Sequence, residues 1–232
     1  MKKKILAMCL VVALLATAIV GATLAYFTDT DSATNVMTLG DVDIIQNEDF
    51  VQDTKLLPMV DNRTDKTANP VVNGYFDPAM ENVVKKEITV TNDGSEAAYV
   101  RTIILFETNA EYEAGTNNVL RDEVKIFDDY IGCLGKGVTY TDMVVEIDGV
   151  KYVVAYKVYE NALAAGATSD PSLKQIFMSP DADNEISILF GSEYTVLALS
   201  QGVQAEGFTN GAAAALNEAF GEITAANVTS WF

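Results

Sequence analysis

The chain has 232 residues, with 33 Asp and Glu against 15 Lys and Arg, a formal net charge of −18. A surface this acidic repels nucleic acid and anionic lipid and excludes both as partners. Histidine is absent altogether, which removes HExxH zinc sites, Ser-His-Asp and Cys-His catalysis, and every imidazole base.

The chain opens with Lys2, Lys3 and Lys4, followed by an uncharged run from Ile5 that ends in Gly21-Ala22-Thr23-Leu24-Ala25. A basic n-region, an apolar h-region and a small-residue site, in that order, predict a secretory signal peptide over residues 1–25. Cleavage by a signal peptidase is expected between Ala25 and Tyr26. The rival reading is an uncleaved anchor, and membrane contact is expected only through that uncleaved leader. Gly21 and Thr23 weaken the last turn, and the residues that follow are acidic, so cleavage is favoured. Removing those 25 residues from 232 leaves 207, with 12 basic against 33 acidic side chains, enough for one sizeable domain. Cys9 departs with the leader. Cys133, in the apolar run Ile131-Gly132-Cys133-Leu134-Gly135, then has no intramolecular partner. No disulfide is expected, and a buried, inert thiol is favoured over a nucleophile.

From Tyr26 to Ile45 the chain alternates with the period of a strand. The even positions, among them Tyr26, Thr28, Thr30, Ser32, Thr34 and Val36, are uncharged. Asp29, Asp31, Asp41 and Asp43 all fall on odd positions. At ~3.3 Å per residue the stretch would span roughly 65 Å, so a break near Gly40 is expected. Residues 46–84 hold Pro58, Pro70 and Pro78 and read as a long loop with a short element of its own. KKEITVTND then alternates, with Ile88 and Val90 on one side and Glu87, Thr89 and Thr91 on the other. Asn92-Asp93-Gly94-Ser95 is turn chemistry, and AAYVRTIILFE is the return strand.

Asp148-Gly149 predicts a two-residue hairpin between MVVEI and VKYVVAYKVY. Tyr152, Val154, Tyr156 and Val158 fall on one face, and Val153, Ala155 and Lys157 on the other. A further strand pair is expected over Glu185–Phe190 and Tyr194–Leu199. Ala212–Phe220 predicts a helix, with Thr209 or Asn210 as N-cap and Gly221 as its stop. The sum is a mainly β domain over residues 38–232, a jelly roll or β-sandwich with long loops and at least one helix near the C-terminus.

No GxGxxG, P-loop or CxxC occurs, and no catalytic residue or metal ligand can be assigned. Asp181-Ala182-Asp183-Asn184-Glu185 opens like a calcium loop but lacks glycine at the sixth position. Solvated loop acids are the favoured account, a Ca²⁺ site of another type the alternative, and no other cofactor is expected.

The leader, Tyr26-Phe27-Thr28-Asp29 and the Thr38–Ile44 segment together resemble the TasA/CalY (camelysin-like) family of exported bacterial matrix proteins. Lys86–Ser95 with Ala98-Tyr99-Val100-Arg101 is similar to that family's strand, Asn-Gly turn and return strand. The resemblance implies a jelly-roll domain, export, trimming by a dedicated signal peptidase and assembly into biofilm-matrix fibres at the surface of a Gram-positive-type bacterium. It also implies that residues 26–37 act as a donor strand, through Tyr26, Phe27, Thr28, Thr30, Ser32, Thr34 and Val36, to a neighbouring copy or an accessory matrix subunit. Some relatives carry a metallopeptidase label, which a chain without histidine supports little. The competing readings are a monomeric surface adhesin and a carboxylate-dependent extracellular hydrolase.

Overall fold

The computed structural model describes residues 28–32, 42–50, 56–108, 120–121, 124–126, 131–134, 137–180 and 194–232. The leader, the Ala25–Tyr26 junction, Phe27, Thr34, Val36, the region of Gly40, the acids of 181–185 and the expected strand over 185–190 lie outside these residues.

The strands are β1 (Thr28–Ser32), β2 (Ile44–Phe50), β3 (Val60–Asp61), β4 (Val71–Val72), β5 (Tyr75–Phe76), β6 (Met80–Glu81), β7 (Val83–Asn92) and β8 (Ala98–Glu107). They continue with β9 (Leu120–Arg121), β10 (Val124–Ile126), β11 (Ile131–Leu134), β12 (Thr139–Ile147), β13 (Val150–Val158), β14 (Leu173–Met178) and β15 (Val196–Gln204). Two helices follow, α1 (Ala212–Phe220) and α2 (Ala225–Trp231). A five-stranded sheet runs β1-β15-β8-β13-β12 and a six-stranded sheet β2-β7-β14-β11-β10-β9. All the pairings within these two sheets are antiparallel.

The two sheets pack face to face. Ile88, Leu173 and Ile176 of the six-stranded sheet share one buried cluster with Ile104, Phe106, Val153 and Ala155 of the five-stranded sheet. The outer face of the five-stranded sheet is buried as well. Ile103, Leu105 and Val154 meet Val228 of α2, and Val203 meets Ala212, Ala215 and Leu216 of α1. This explains why β8 reads as a nearly continuous apolar run. As a central strand covered on both faces, it has no solvent side to mark with polar residues. Fully burying each of its Ile, Leu and Phe side chains contributes about 1.5–3 kcal/mol.

The fold is mainly β, as expected, and the β12–β13 hairpin stands where the turn chemistry places it. The Asn92–Ser95 turn instead carries the chain from β7 in the six-stranded sheet to β8 in the five-stranded one, so β8 does not return alongside β7. Asp148 and Gly149 both adopt positive φ, 51° and 83°, the backbone of a type I′ turn. In β13, Tyr152 and Val154 face the helical side while Val153 and Ala155 face the sandwich interior. The helix over 212–220 forms, but its N-cap is Gly211 rather than Thr209 or Asn210, with φ 87° and no side-chain cap. The positive-φ turn at Gly211 carries both earlier side chains past the helix end. Helix α2, which was not anticipated, is capped by Thr224, whose hydroxyl accepts from the N–H of Asn227 at 3.3 Å.

Strand β2 extends to Phe50, past the expected end at Ile45. Its polar second half is held because Glu48 pairs with Lys86 and Asp49 with Lys85 across the ladder to β7. The stretch after it is ordered locally by turns in which Asp61, Asp65, Asn69 and Asp77 each accept from the backbone N–H two residues on, at 2.8–3.0 Å. Four short strands lie in this segment, and beneath it Phe76, Met80 and Phe177 form a satellite core.

One end of the sandwich is closed by a strap over residues 159–172. Its hub is Asn92, fully buried. The Asn92 amide donates to Glu96 O at 2.7 Å and Leu163 O at 2.9 Å, and its Oδ1 accepts from Gly94 N. Its backbone exchanges hydrogen bonds with Ala167 and Gly166. Cys133 lies on β11 opposite Ile176; the expectation of a buried thiol falls outside the described side chains.

Candidate assembly edge

The acidic opening stretch places a strand at the edge of the five-stranded sheet. In β1, Thr28 pairs with Val203, Asp29 with Gly202, Thr30 with Gln201, Asp31 with Ser200 and Ser32 with Leu199. On its other side β15 pairs with β8 over its whole length, from Val196 opposite Phe106 to Gln204 opposite Ala98. Thr28, Thr30 and Ser32 are thus brought together on one edge. Tyr26, Phe27, Thr34 and Val36, like the cleavage pair Ala25 and Tyr26, lie outside the described residues.

The expected strand stopped at Leu199, yet β15 runs on through Ser200, Gln201 and Gly202. Polar residues persist there because both faces supply partners. On the interior face, Ser200 donates to Gln46 Oε1 of β2 at 2.7 Å, and the hydroxyls of Thr102 and Ser200 lie 3.0 Å apart. The Gln46 amide donates in turn to Ala198 O at 3.2 Å and Glu48 Oε1 at 2.9 Å. Thr102 and Ser200 are completely buried, so each needs such a partner. Next along, Gly202 leaves room for Ile44 of β2. A Cβ on Gly202 would lie 2.8 Å from Ile44 Cγ2.

On the opposite face, Gln201 accepts from Arg101 Nε at 2.7 Å. The same guanidinium donates to Asn217 Oδ1 at 2.9 Å and to Gly221 O at 3.0 Å, the C-terminal end of α1. It lies 5.0 Å from the ring of Trp231 and 5.9 Å from that of Phe220. Arg101 is 1% exposed, and these hydrogen-bond acceptors are all neutral. Burial pushes its guanidinium down to about 10, so it stays charged at neutral pH. Negative carbonyl ends at a helix C-terminus and the faces of aromatic rings both favour a cation there. Sequence reading passed over Arg101 because its partners lie 100 to 120 residues away. Its position amid the apolar residues of β8 was the available signal.

This arrangement holds and presents a strand edge; it does not assemble reacting groups. An open groove of about 420 Å³ beside the start of α1 has Tyr156, Asn210 and a single carboxylate, Glu160, in its lining. Glycoside hydrolysis needs two. Among the described residues, no three acidic or cysteine side chains are grouped to hold a metal ion, and the chain has no histidine. The described residues therefore do not fit a catalytic zinc.

Residues 1–66 match the family model described as camelysin metallo-endopeptidase. No curated protein and no solved structure matches the chain. The matched span takes in the expected leader, β1, β2 and β3, whereas the second motif, Lys86–Arg101, and the C-terminal half lie beyond it. Over residues 1–66 the chain is similar to the camelysin family.

Proposed function

We propose that this chain is an exported structural subunit that loses its leader after Ala25 and polymerises by strand addition. The segment from Tyr26 to about Met37 is the donor, and the edge of β15 is the acceptor. The observation that carries this reading is the placement of β1. It occupies the outer edge of β15 within its own chain, while β2, the next described strand, belongs to the other sheet. The same ladder formed with a neighbour's segment is a strand exchange, and a head-to-tail exchange of this kind produces open filaments. Cleavage of the leader frees the end of the strand that must move. The jelly-roll description belongs to this reading, since the first and last strands lie side by side in one sheet. The fibre is extracellular, needs no cofactor, and has copies of itself or accessory matrix subunits as partners. The metallo-endopeptidase description of the matched family is not carried over to this chain.

The test compares the chain beginning at Tyr26 with one beginning at Thr38, by electron microscopy and sedimentation. Filaments are expected only from the longer chain. Identical filaments from the shorter one would sink the donor role. An intramolecular β1 also suits the second reading, a monomeric surface adhesin. That reading gains if neither chain assembles under any condition, including with other matrix subunits present.

A further inference from the structure

The acceptor strand is gripped at two consecutive residues from opposite sides. Ser200 is bonded to Gln46 beneath it, and Gln201 to Arg101 above it. These two residues pair with Asp31 and Thr30, in the middle of the β1 ladder. Neither of these two bonds is made to a residue of β1. Gln46 also donates to Glu48 of its own strand and to Ala198 O of β15, and Arg101 to the end of α1.

We propose that Gln46 and Arg101 are positioning residues for strand addition: they hold β15 from both faces so that its edge keeps its shape while β1 is away. This rests on the strand-addition reading above and adds a mechanism to it. An incoming strand then meets an ordered ladder of donors and acceptors, so binding bears little of the ordering cost of the acceptor. When a grip is lost, only a fraction of chains present a competent edge. Apparent affinity falls by that fraction, and the loss appears in the association rate.

The experiment uses the chain beginning at Thr38 and a fluorescent synthetic peptide of residues 26–37, with association and dissociation rates followed separately. Thermal unfolding of every variant is recorded alongside. Gln201→Leu and Gln46→Met are each expected to slow association by about tenfold, the equivalent of one hydrogen bond, with dissociation little changed. Gln201→Glu leaves an oxygen for the Arg101 guanidinium and is expected to bind within about threefold of the unsubstituted chain. A merely structural role would lower the unfolding temperature of the Leu and Met variants without changing the association rate, and that result overturns the proposal. If Gln201→Leu does not fold, Gln46→Met, on the other face, decides the matter. A folded, unsubstituted Thr38 chain that binds no peptide defeats the strand-addition reading itself, and the positioning role with it.

Discussion

The two outer faces of the sandwich handle positive charge in opposite ways. On the helical face, Arg101 is sealed among neutral acceptors and aromatic rings contributed by β15, α1 and α2. On the opposite side of the molecule, Lys85 pairs with Asp49 in the open. Its partner is a carboxylate, yet solvent and salt screen the pair, and such pairs stabilise little. Arg101 donates to neutral acceptors, and the buried Gln201 would be left unsatisfied in a dry place if it were removed. Burial, rather than formal charge pairing, decides which cation holds distant parts of the chain together.

Breaking the sealed side should have the largest effect. Arg101→Ala orphans the buried Gln201 and empties a cavity, so a loss of about 3 kcal/mol is expected in urea unfolding; a loss below about 1 kcal/mol would contradict the comparison. Between the faces, Gly202→Ala drives a methyl group into Ile44 and should cost about 1–3 kcal/mol. Combining it with Ile44→Val should recover part of that loss, a coupling readable from a double-mutant cycle. At the helical rim, Thr224→Ala removes the cap of α2 at a cost of about 1 kcal/mol, seen as a small shift in the same curves.

The smallest effect belongs to the open face. Glu87 accepts from the Tyr75 hydroxyl at 2.6 Å, and this bond, with burial and the carboxylate charge, pushes Tyr75 up to about 12. A phenol raised in the folded state contributes stability below its ordinary value near 10, and that contribution is lost as pH rises through about 12. Tyr152 and Tyr159 are also raised by burial, so tyrosinate absorbance should show a late-titrating group from which one tyrosine moves back toward 10 in Glu87→Gln. Thermal stability at neutral pH should hardly change in that variant.

Local signals carried much of the architecture. Alternation in KKEITVTND and the Asp148-Gly149 turn are written within ten residues of where they act, so β7 and the β12–β13 hairpin were legible. The run of helix formers before Gly221 placed the end of α1 equally well. The long-range partners were not legible. Nothing near Gln46 or Ser200 announces that they meet across 154 residues, and the polar ends of β2 and β15 read as loop until their cross-sheet partners are known. Helix α2 is short and contains Val228 and Thr229, β-branched residues that lower helix propensity; its cap at Thr224 and the burial of Val228 hold it. The donor residues were marked by composition, but which strand they lie beside is set by register, which alternation alone does not encode.

The hub residue of the strap bears on how the molecule ages. Asparagine loses its amide when the backbone nitrogen of the following residue attacks the side-chain carbonyl and ammonia departs. At Asn92 that nitrogen belongs to Asp93, and its N–H is held by Asp43 O at 2.7 Å. The amide nitrogen that would leave is itself held by two carbonyl oxygens, those of Glu96 and Leu163. Were the conversion to occur, a carboxylate would face those two oxygens and the strap would lose its fastening. The hydrogen bonds that close the end of the sandwich therefore also restrain the attacking and departing atoms, and they protect the fold against slow chemical decay at this amide.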